Sequence, residues 1–217
     1  MDINGRFRGI QAVVVTLILV SSHQVTAQQF TAQINVGLTS SQISGDGAYG
    51  FGQFGAIAGG EVAFEFNDDW KASFGIRFNQ KGSRIYKTKT SINTYRLRVN
   101  YIEAPLLIHY SLDDFSFGAG PVLGIKVNQK ERTQFGEVQD SREFDPLELG
   151  LEVNIGYRID DKWGLRLLYQ NSILAVRDHP IDQAYPPANF VIGSFHQKIL
   201  DQGQYFTSLS LLLSYSF

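Results

Sequence analysis

The chain has no cysteine and a single methionine in 217 residues. That excludes disulfides and thiolate metal sites as sources of stability or chemistry. Proline is scarce at 6 residues, and no proline-rich, serine-rich or low-complexity tract separates one composition regime from another, so no second domain is expected. Basic charge is not in surplus either. With 19 Lys and Arg against 21 Asp and Glu the formal net charge is -2, which leaves nothing to neutralise a phosphate backbone and excludes nucleic acid as an expected partner. Also missing is an apolar run long enough for a membrane-spanning helix, which needs about 20 residues. The longest apolar stretch, Ile10 to Val20, falls short of that.

That short stretch has a different reading. Arg6 and Arg8 precede it and Val25-Thr26-Ala27 follows it, the order of a positively charged region, an apolar segment and a small-residue cleavage site. Residues 1–27 are therefore expected to be a signal peptide, with residues 28–217 as one mature domain. No cysteine follows the apolar segment, so no lipid attachment is expected.

What the mature chain does have is alternation. Its last residues, Tyr205 to Phe217, place Tyr205, Thr207, Leu209, Leu211, Leu213, Tyr215 and Phe217 on one face of a strand and Phe206, Ser208, Ser210, Leu212, Ser214 and Ser216 on the other, because side chains alternate with period two. Similar runs are predicted at 30–38, 54–66, 70–79, 94–112, 115–128, 147–159 and 163–170, eight strands in all. In the fourth run Tyr95, Leu97 and Val99 form the greasy face before the phase changes to Ile102, Ala104, Leu106, Ile108 and Tyr110. One extra residue near Asn100-Tyr101, a β-bulge, explains the change. Pro121 is the awkward residue of the fifth run, since proline cannot donate to a ladder.

The connections alternate strictly. Tight acidic turns at Asn67-Asp68-Asp69, Asp113-Asp114 and Asp160-Asp161 separate long links at 39–53, 80–93, 129–145 and 176–203. An even-stranded antiparallel barrel puts all short turns on one rim and all long loops on the other, as in outer-membrane barrels with periplasmic turns and extracellular loops. A soluble barrel of lipocalin type has the same alternation with the greasy face inward. Side-chain volume chooses between them. The greasy face carries Phe64, Phe66, Trp70, Phe74, Phe78, Phe115, Phe117, Tyr157, Trp163 and Tyr169, while the other face is rich in Gly, Ser and Ala, and an eight-stranded barrel has room inside only for modest side chains. The bulky set is expected to meet lipid. Aromatics beside the tight turns and a second group at Phe54, Phe78, Tyr95, Tyr169 and Tyr205 are expected to form two interfacial girdles.

The inward set then mixes signs: Glu61, Glu65, Glu103, Glu148 and Glu152 against Lys71, Arg77, Arg96, Arg98, Lys126, Arg158 and Arg166, with His109 among them. A selective pore and a plugged, salt-bridged interior both fit this set. The second is preferred at eight strands, since pores of useful width need more, and stranding a buried charge is costly. Glu61, Arg77, Arg96, Arg98, Glu103, Glu148, Glu152, Arg158 and Arg166 are the predicted structural charge network, with Glu103 accepting from Arg96, Arg98 or Arg166.

Tyr101-Ile102-Glu103-Ala104-Pro105-Leu106-Leu107-Ile108, followed across a two-acid turn by Phe117-Gly118-Ala119-Gly120-Pro121-Val122-Leu123-Gly124, resembles the Y-L-E-I-P-L-L and G-x-G-P pair of PorT-like outer-membrane β-barrel proteins of Bacteroidetes. The resemblance extends in strand order over essentially all of the mature chain; Ala104 departs from it by being smaller than the usual aliphatic residue. It implies an eight-stranded barrel in the outer membrane and, for the founding PorT proteins, a part in type IX secretion.

Enzymatic readings have less support. Asp178, His179, Ser194 and His196 share the last long loop, and such residues can form an acid-base-nucleophile set, yet no G-x-S-x-G, H-E-x-x-H or phosphate-binding glycine loop is present. They are read as solvated loop residues, and the aspartate pairs as turn formers rather than calcium ligands. Pro180, Tyr185, Pro186, Pro187, Phe190 and Phe195 of the same loop are read as a lid or adhesive surface. The sequence thus predicts an all-β, eight-stranded, up-and-down transmembrane barrel, non-enzymatic and without cofactor or metal, a structural or accessory component of envelope transport. Its expected partners are outer-membrane lipid, the barrel-assembly machinery through the strand ending at Phe217, and secretion proteins. A narrow channel or ligand-binding barrel is the alternative, and a rim-site enzyme acting on lipid or peptide the third reading.

Overall fold

The computed structural model describes residues 30–44, 50–87, 94–138, 143–177 and 203–217. The expected signal peptide, residues 1–27, lies outside them. All regular structure among the described residues is strand: β1 (Phe30–Ser44), β2 (Gln53–Glu65), β3 (Trp70–Ile85), β4 (Tyr95–Leu112), β5 (Phe115–Thr133), β6 (Gly136–Glu137), β7 (Leu147–Arg158), β8 (Trp163–Ser172) and β9 (Tyr205–Ser216). β1 pairs antiparallel with β9 from Gln33↔Ser216 to Ser44↔Tyr205, and β4 pairs antiparallel with β5. The eight long strands therefore close on themselves, and closure leaves no unpaired edge in lipid. β6 is a two-residue return on the end of β5.

The greasy face points out. Trp70 is 46% exposed, Leu151 51% and Phe54 63%, whereas Lys81, Glu103 and Ser172 on the inner face are fully buried. Folding in water would invert this arrangement, since it leaves the apolar surface unburied and desolvates the charges. Cross-strand aromatic pairs line the short-turn rim: Trp70 with Tyr110 at 5.1 Å between ring centroids, Phe115 with Tyr157 at 5.1 Å, and Trp163 with Tyr215 at 5.0 Å. The tight turns share a device. Asn67 Oδ1 accepts from the backbone N–H groups of Asp69 and Trp70, and Asp160 Oδ1 from those of Lys162 and Trp163. Asp113 takes φ 53°, a conformation that aspartate tolerates better than most residues.

Several expectations change. The bulge lies at the expected level but on the neighbouring strand: Asn100 pairs with Asn128 and Tyr101 with Lys126, so Val127 of β5 is the extra residue. β4 keeps one phase throughout. Leu97, Val99 and Tyr101 consequently join Glu103, Leu107 and His109 on the buried face, and the apparent phase change in the sequence is a change in what fills the interior. The second aromatic girdle is also not as expected, since Tyr205 is buried and Tyr95 packs against the interior cluster. Strands run past their greasy segments, β1 to Ser44, β3 to Ile85 and β5 to Thr133. Beyond the bilayer the outer face needs no grease, so the alternation fades while the hydrogen-bonded ladder continues. Both strand prolines sit at lapses in pairing. The β3–β4 register skips Ala104 and Pro105, and the β4–β5 register skips Gly120 and Pro121, where a missing N–H costs no ladder bond.

Candidate functional site

The inner face of β3 presents Arg77, Asn79 and Lys81 at every second position, and the facing position on β4 is Glu103. One buried carboxylate thus meets three donors from a single neighbouring strand. Arg77 Nε lies 2.7 Å from Glu103 Oε2 and Lys81 Nζ 2.6 Å from Oε1. Asn79 Nδ2 donates to Glu103 at 3.2 Å, as does Gln170 Nε2 from β8, on the far side of the lumen. The same cations reach onward. Arg77 lies 2.7 Å from Glu152 Oε2 and donates to Gln170 Oε1 at 3.2 Å. Lys81 donates to Glu148 at 2.8 Å, and Ser172 Oγ donates to that carboxylate at 2.8 Å. β3, β4, β7 and β8 are cross-braced through the tube.

Nearer the short turns is a second cluster. Arg166 lies 2.8 Å from Glu61 Oε2 and donates to Gln33 Oε1 at 3.1 Å. His109 Nε2 is hydrogen-bonded to Ser73 Oγ at 2.9 Å and stands 3.9 Å from Glu61 Oε1. Gly118 makes room for this ring, since a Cβ there would fall 2.5 Å from His109 Nδ1. Beside the cluster is a cavity of about 10 Å³ between Asn35, Glu61, Arg77 and Arg166, roughly the space of one water. Below it an open vestibule of about 270 Å³ faces the short-turn rim.

Above the charges the interior turns apolar. Ile43, Leu97, Val99, Tyr101, Val176 and Phe206 pack with Phe144, a residue of the link between β6 and β7 that enters the mouth of the barrel. Phe144 stacks on Phe206 at 5.5 Å between centroids. Its N–H donates to Gln129 Oε1 and Lys126 Nζ donates to its carbonyl. The Arg177 guanidinium covers the ring at 4.2 Å. Lys81 joins the two zones, with its ammonium 5.5 Å from the Tyr101 ring centroid.

Of the network read from the sequence, Glu61, Arg77, Glu103, Glu148, Glu152 and Arg166 come together in the lumen. Three residues do not. Arg158 pairs with Asp114 at 2.9 Å on the short-turn rim, where both side chains are more than half exposed. Arg96 and Arg98 occupy the opposite face of β4 from Glu103, because that strand has no phase change. The partners of Glu103 are therefore Arg77 and Lys81 rather than Arg96, Arg98 or Arg166. Glu65 is exposed, bonded to Thr31, and Lys71 is half-buried beside the vestibule. Sequence reasoning missed Lys81, Asn79, Gln170 and Phe144. The signal for the first two was present: Arg77, Asn79, Lys81 and Ser83 continue one polar parity. For Phe144, in a link without periodicity, there was none. Asp178, His179, Ser194 and His196 lie outside the described residues, as do Pro180, Tyr185, Pro186, Pro187, Phe190 and Phe195. Among the described residues no cluster of three or more metal-ligating side chains occurs. Chemically, the charged zone of the lumen is a set of acids and bases paired with one another, an arrangement that holds strands together.

The model of an outer membrane protein beta-barrel domain family matches residues 25–174. Among solved structures, the attachment invasion locus protein Ail of Yersinia pestis is 13% identical, with 88% of this chain and 100% of that chain covered and a TM-score of 0.49. The outer membrane protein OprG from Pseudomonas aeruginosa is 11% identical over 87% of this chain and 96% of that one, with a TM-score of 0.46. Neisserial surface protein A is 13% identical, covering 87% and 97%, with a TM-score of 0.45. No curated protein matches the chain.

Proposed function

Because this chain belongs to the outer membrane protein beta-barrel domain family, we propose that it is a sealed, non-catalytic barrel of the outer membrane that serves as a structural or accessory component of envelope transport. The observation that carries this reading is the cross-brace through Glu103, in which Arg77 and Lys81 link β3 to β4 and β7 across the lumen. A conducting pore needs charges that an ion can borrow, and these are committed to one another. Above them the apolar cap adds a layer that a hydrated ion crosses only at high cost.

The test is electrical. Purified protein in planar bilayers is expected to give no steady single-channel current, and steady currents would replace the sealed reading with the narrow channel. The finer assignment, a role in type IX secretion, is supported by the resemblance of the Tyr101–Ile108 and Phe117–Gly124 segments to PorT-like proteins. A deletion strain is expected to lose secretion of type IX cargo; unchanged secretion removes that assignment and leaves the barrel. Engagement of the assembly machinery by the strand ending at Phe217 is tested by deleting Phe217, which is expected to slow insertion.

A further inference from the structure

On β3, β4 and β5 the lipid-facing band stops at one level and a different surface begins. Phe78, Ile102 and Ile125 are followed on the same outer face by Gln80, Asn100 and Asn128, which are linked side chain to side chain: Gln80 Nε2 donates to Asn100 Oδ1 at 2.9 Å and Asn100 Nδ2 to Asn128 Oδ1 at 2.8 Å. Next comes a row of cations, Arg98 paired with Lys130, and above it a second row in which Arg84 pairs with Arg96 and Arg96 with Arg132. Like charges directly opposite each other destabilise a sheet. Among the described residues few carboxylates offset them. No acidic residue occurs between Asp69 and Glu103; Glu137 stands 3.4 Å from Arg132, Glu131 is turned to Arg177, and the upper row is otherwise met by neutral groups, Arg96 Nε donating to Gln53 Oε1 at 3.4 Å and the Arg84 guanidinium lying 4.3 Å from the Tyr86 ring centroid. Arg98 Nε is buried with no hydrogen-bond partner. The upper row opens on a cleft of about 430 Å³ lined by Arg84, Tyr86, Lys87, Arg96 and Arg132.

We propose that this face docks the phosphate groups of an anionic lipid in the leaflet on the long-loop side. The position fits. Arg98 stands four residue steps from Ile102, about 13 Å of strand and about 10 Å along the membrane normal at a tilt of about 40°, which places the first cation row at headgroup depth. The chemistry fits as well. Paired guanidinium forks and an ammonium on a rigid sheet hold phosphate oxygens through charge-assisted bonds, and the amide row beneath meets the ester and glycosidic region. The rim of short turns provides the contrast, since its outer face is aromatic and its cations stand beside acidic turns, with Arg158 paired to Asp114. The inference rests on the placement in a bilayer and not on the sealed lumen, so a conductance or secretion result leaves it untouched.

The experiment uses the mature protein in nanodiscs of zwitterionic phosphatidylcholine, titrated with bis-phosphorylated lipid A, with the same lipid A stripped of its phosphates, and with inorganic phosphate alone. Wild type is expected to retain the phosphorylated lipid at least about tenfold better than the stripped one, with inorganic phosphate competing only weakly. The triple variant Arg96→Gln, Arg98→Gln, Lys130→Gln loses that preference while keeping the gel mobility of a folded barrel. If the triple variant does not fold, Lys130→Gln alone, at an exposed site, weakens retention about fivefold, whereas Lys162→Gln on the opposite rim leaves it unchanged. Equal retention of both lipids by wild type, equal retention by wild type and Lys130→Gln, or full displacement by inorganic phosphate each overturns the proposal.

Discussion

Around Glu103 the lumen is filled by Arg77, Lys81, Glu148, Glu152 and Gln170, whereas the next inward positions up the same strand are Tyr101, Val99 and Leu97. These two zones share walls, strands and parity, yet they are held by different physics. In the charged zone each group is tolerable only while its partners, which come both from the neighbouring strand and from strands across the tube, stay where they are. In the cap each group needs only volume, and Phe144 supplies some of it from a link rather than a strand. The lesson is that an inner face is defined by enclosure and not by polarity. An interior of modest width accepts grease wherever no charge has to be matched.

Replacing Glu103 by alanine is the strongest way to break this contrast. It leaves Arg77 and Lys81 buried with fewer partners, and the expected loss is about 3–5 kcal/mol of unfolding free energy in detergent micelles. A loss no larger than that of Leu97→Ala would mean that the charged zone is no more demanding than the cap. Truncating the cap should cost less. Leu97→Ala is expected to lower stability by about 2–3 kcal/mol through lost burial and a residual cavity, and Leu97→Met, nearly conserving volume, by under about 1.5 kcal/mol. That tolerance of shape is what the charged zone lacks.

A double-mutant cycle sharpens the comparison. Lys81→Met and Glu148→Gln combined are expected to cost less than the sum of the two alone, with a coupling of about 1–3 kcal/mol. The smallest effect concerns a turn outside both zones. Two backbone N–H bonds, from Lys162 and Trp163, hold the Asp160 carboxyl below its usual range. A depressed folded-state pKa contributes stability above the unfolded value that is lost as pH falls through the folded one. Asp160→Ala should therefore lower the unfolding midpoint slightly at neutral pH, and the difference from wild type should vanish in acid.

How much of this was legible beforehand depends on what each segment had to satisfy. Leu147 to Ile159 and Tyr205 to Phe217 declared their faces because lipid outside and a crowded tube inside select opposite side chains at alternate positions. The tight turns were legible because Asn67, Asp113 and Asp160 stand where the backbone needs a local acceptor or a left-handed conformation. Glu103, Arg77 and Arg166 could be assigned to the interior from parity, but not to one another, since pairing depends on strand stagger and on which walls face across the lumen. Arg96 and Arg98 were misplaced for an instructive reason: greasy Leu97 and Val99 looked like a lipid face when they were a cap. Lys81 was lost because the third run was ended where its outer face stopped being apolar.

By itself, then, the sequence determined the class of fold, the number of strands, the order of short and long connections and the direction in which the bulky residues point, since all of these follow from period-two alternation and turn chemistry along the chain. Only the tertiary structure decided that the bulge belongs to β5, that Arg77 and Lys81 converge on Glu103, that Phe144 packs into the interior cluster, and that Arg84, Arg96 and Arg132 stand in one row. Each of these is a relation between residues far apart in the chain. Such relations are set by the stagger with which a closed sheet meets itself, a quantity that no single strand contains.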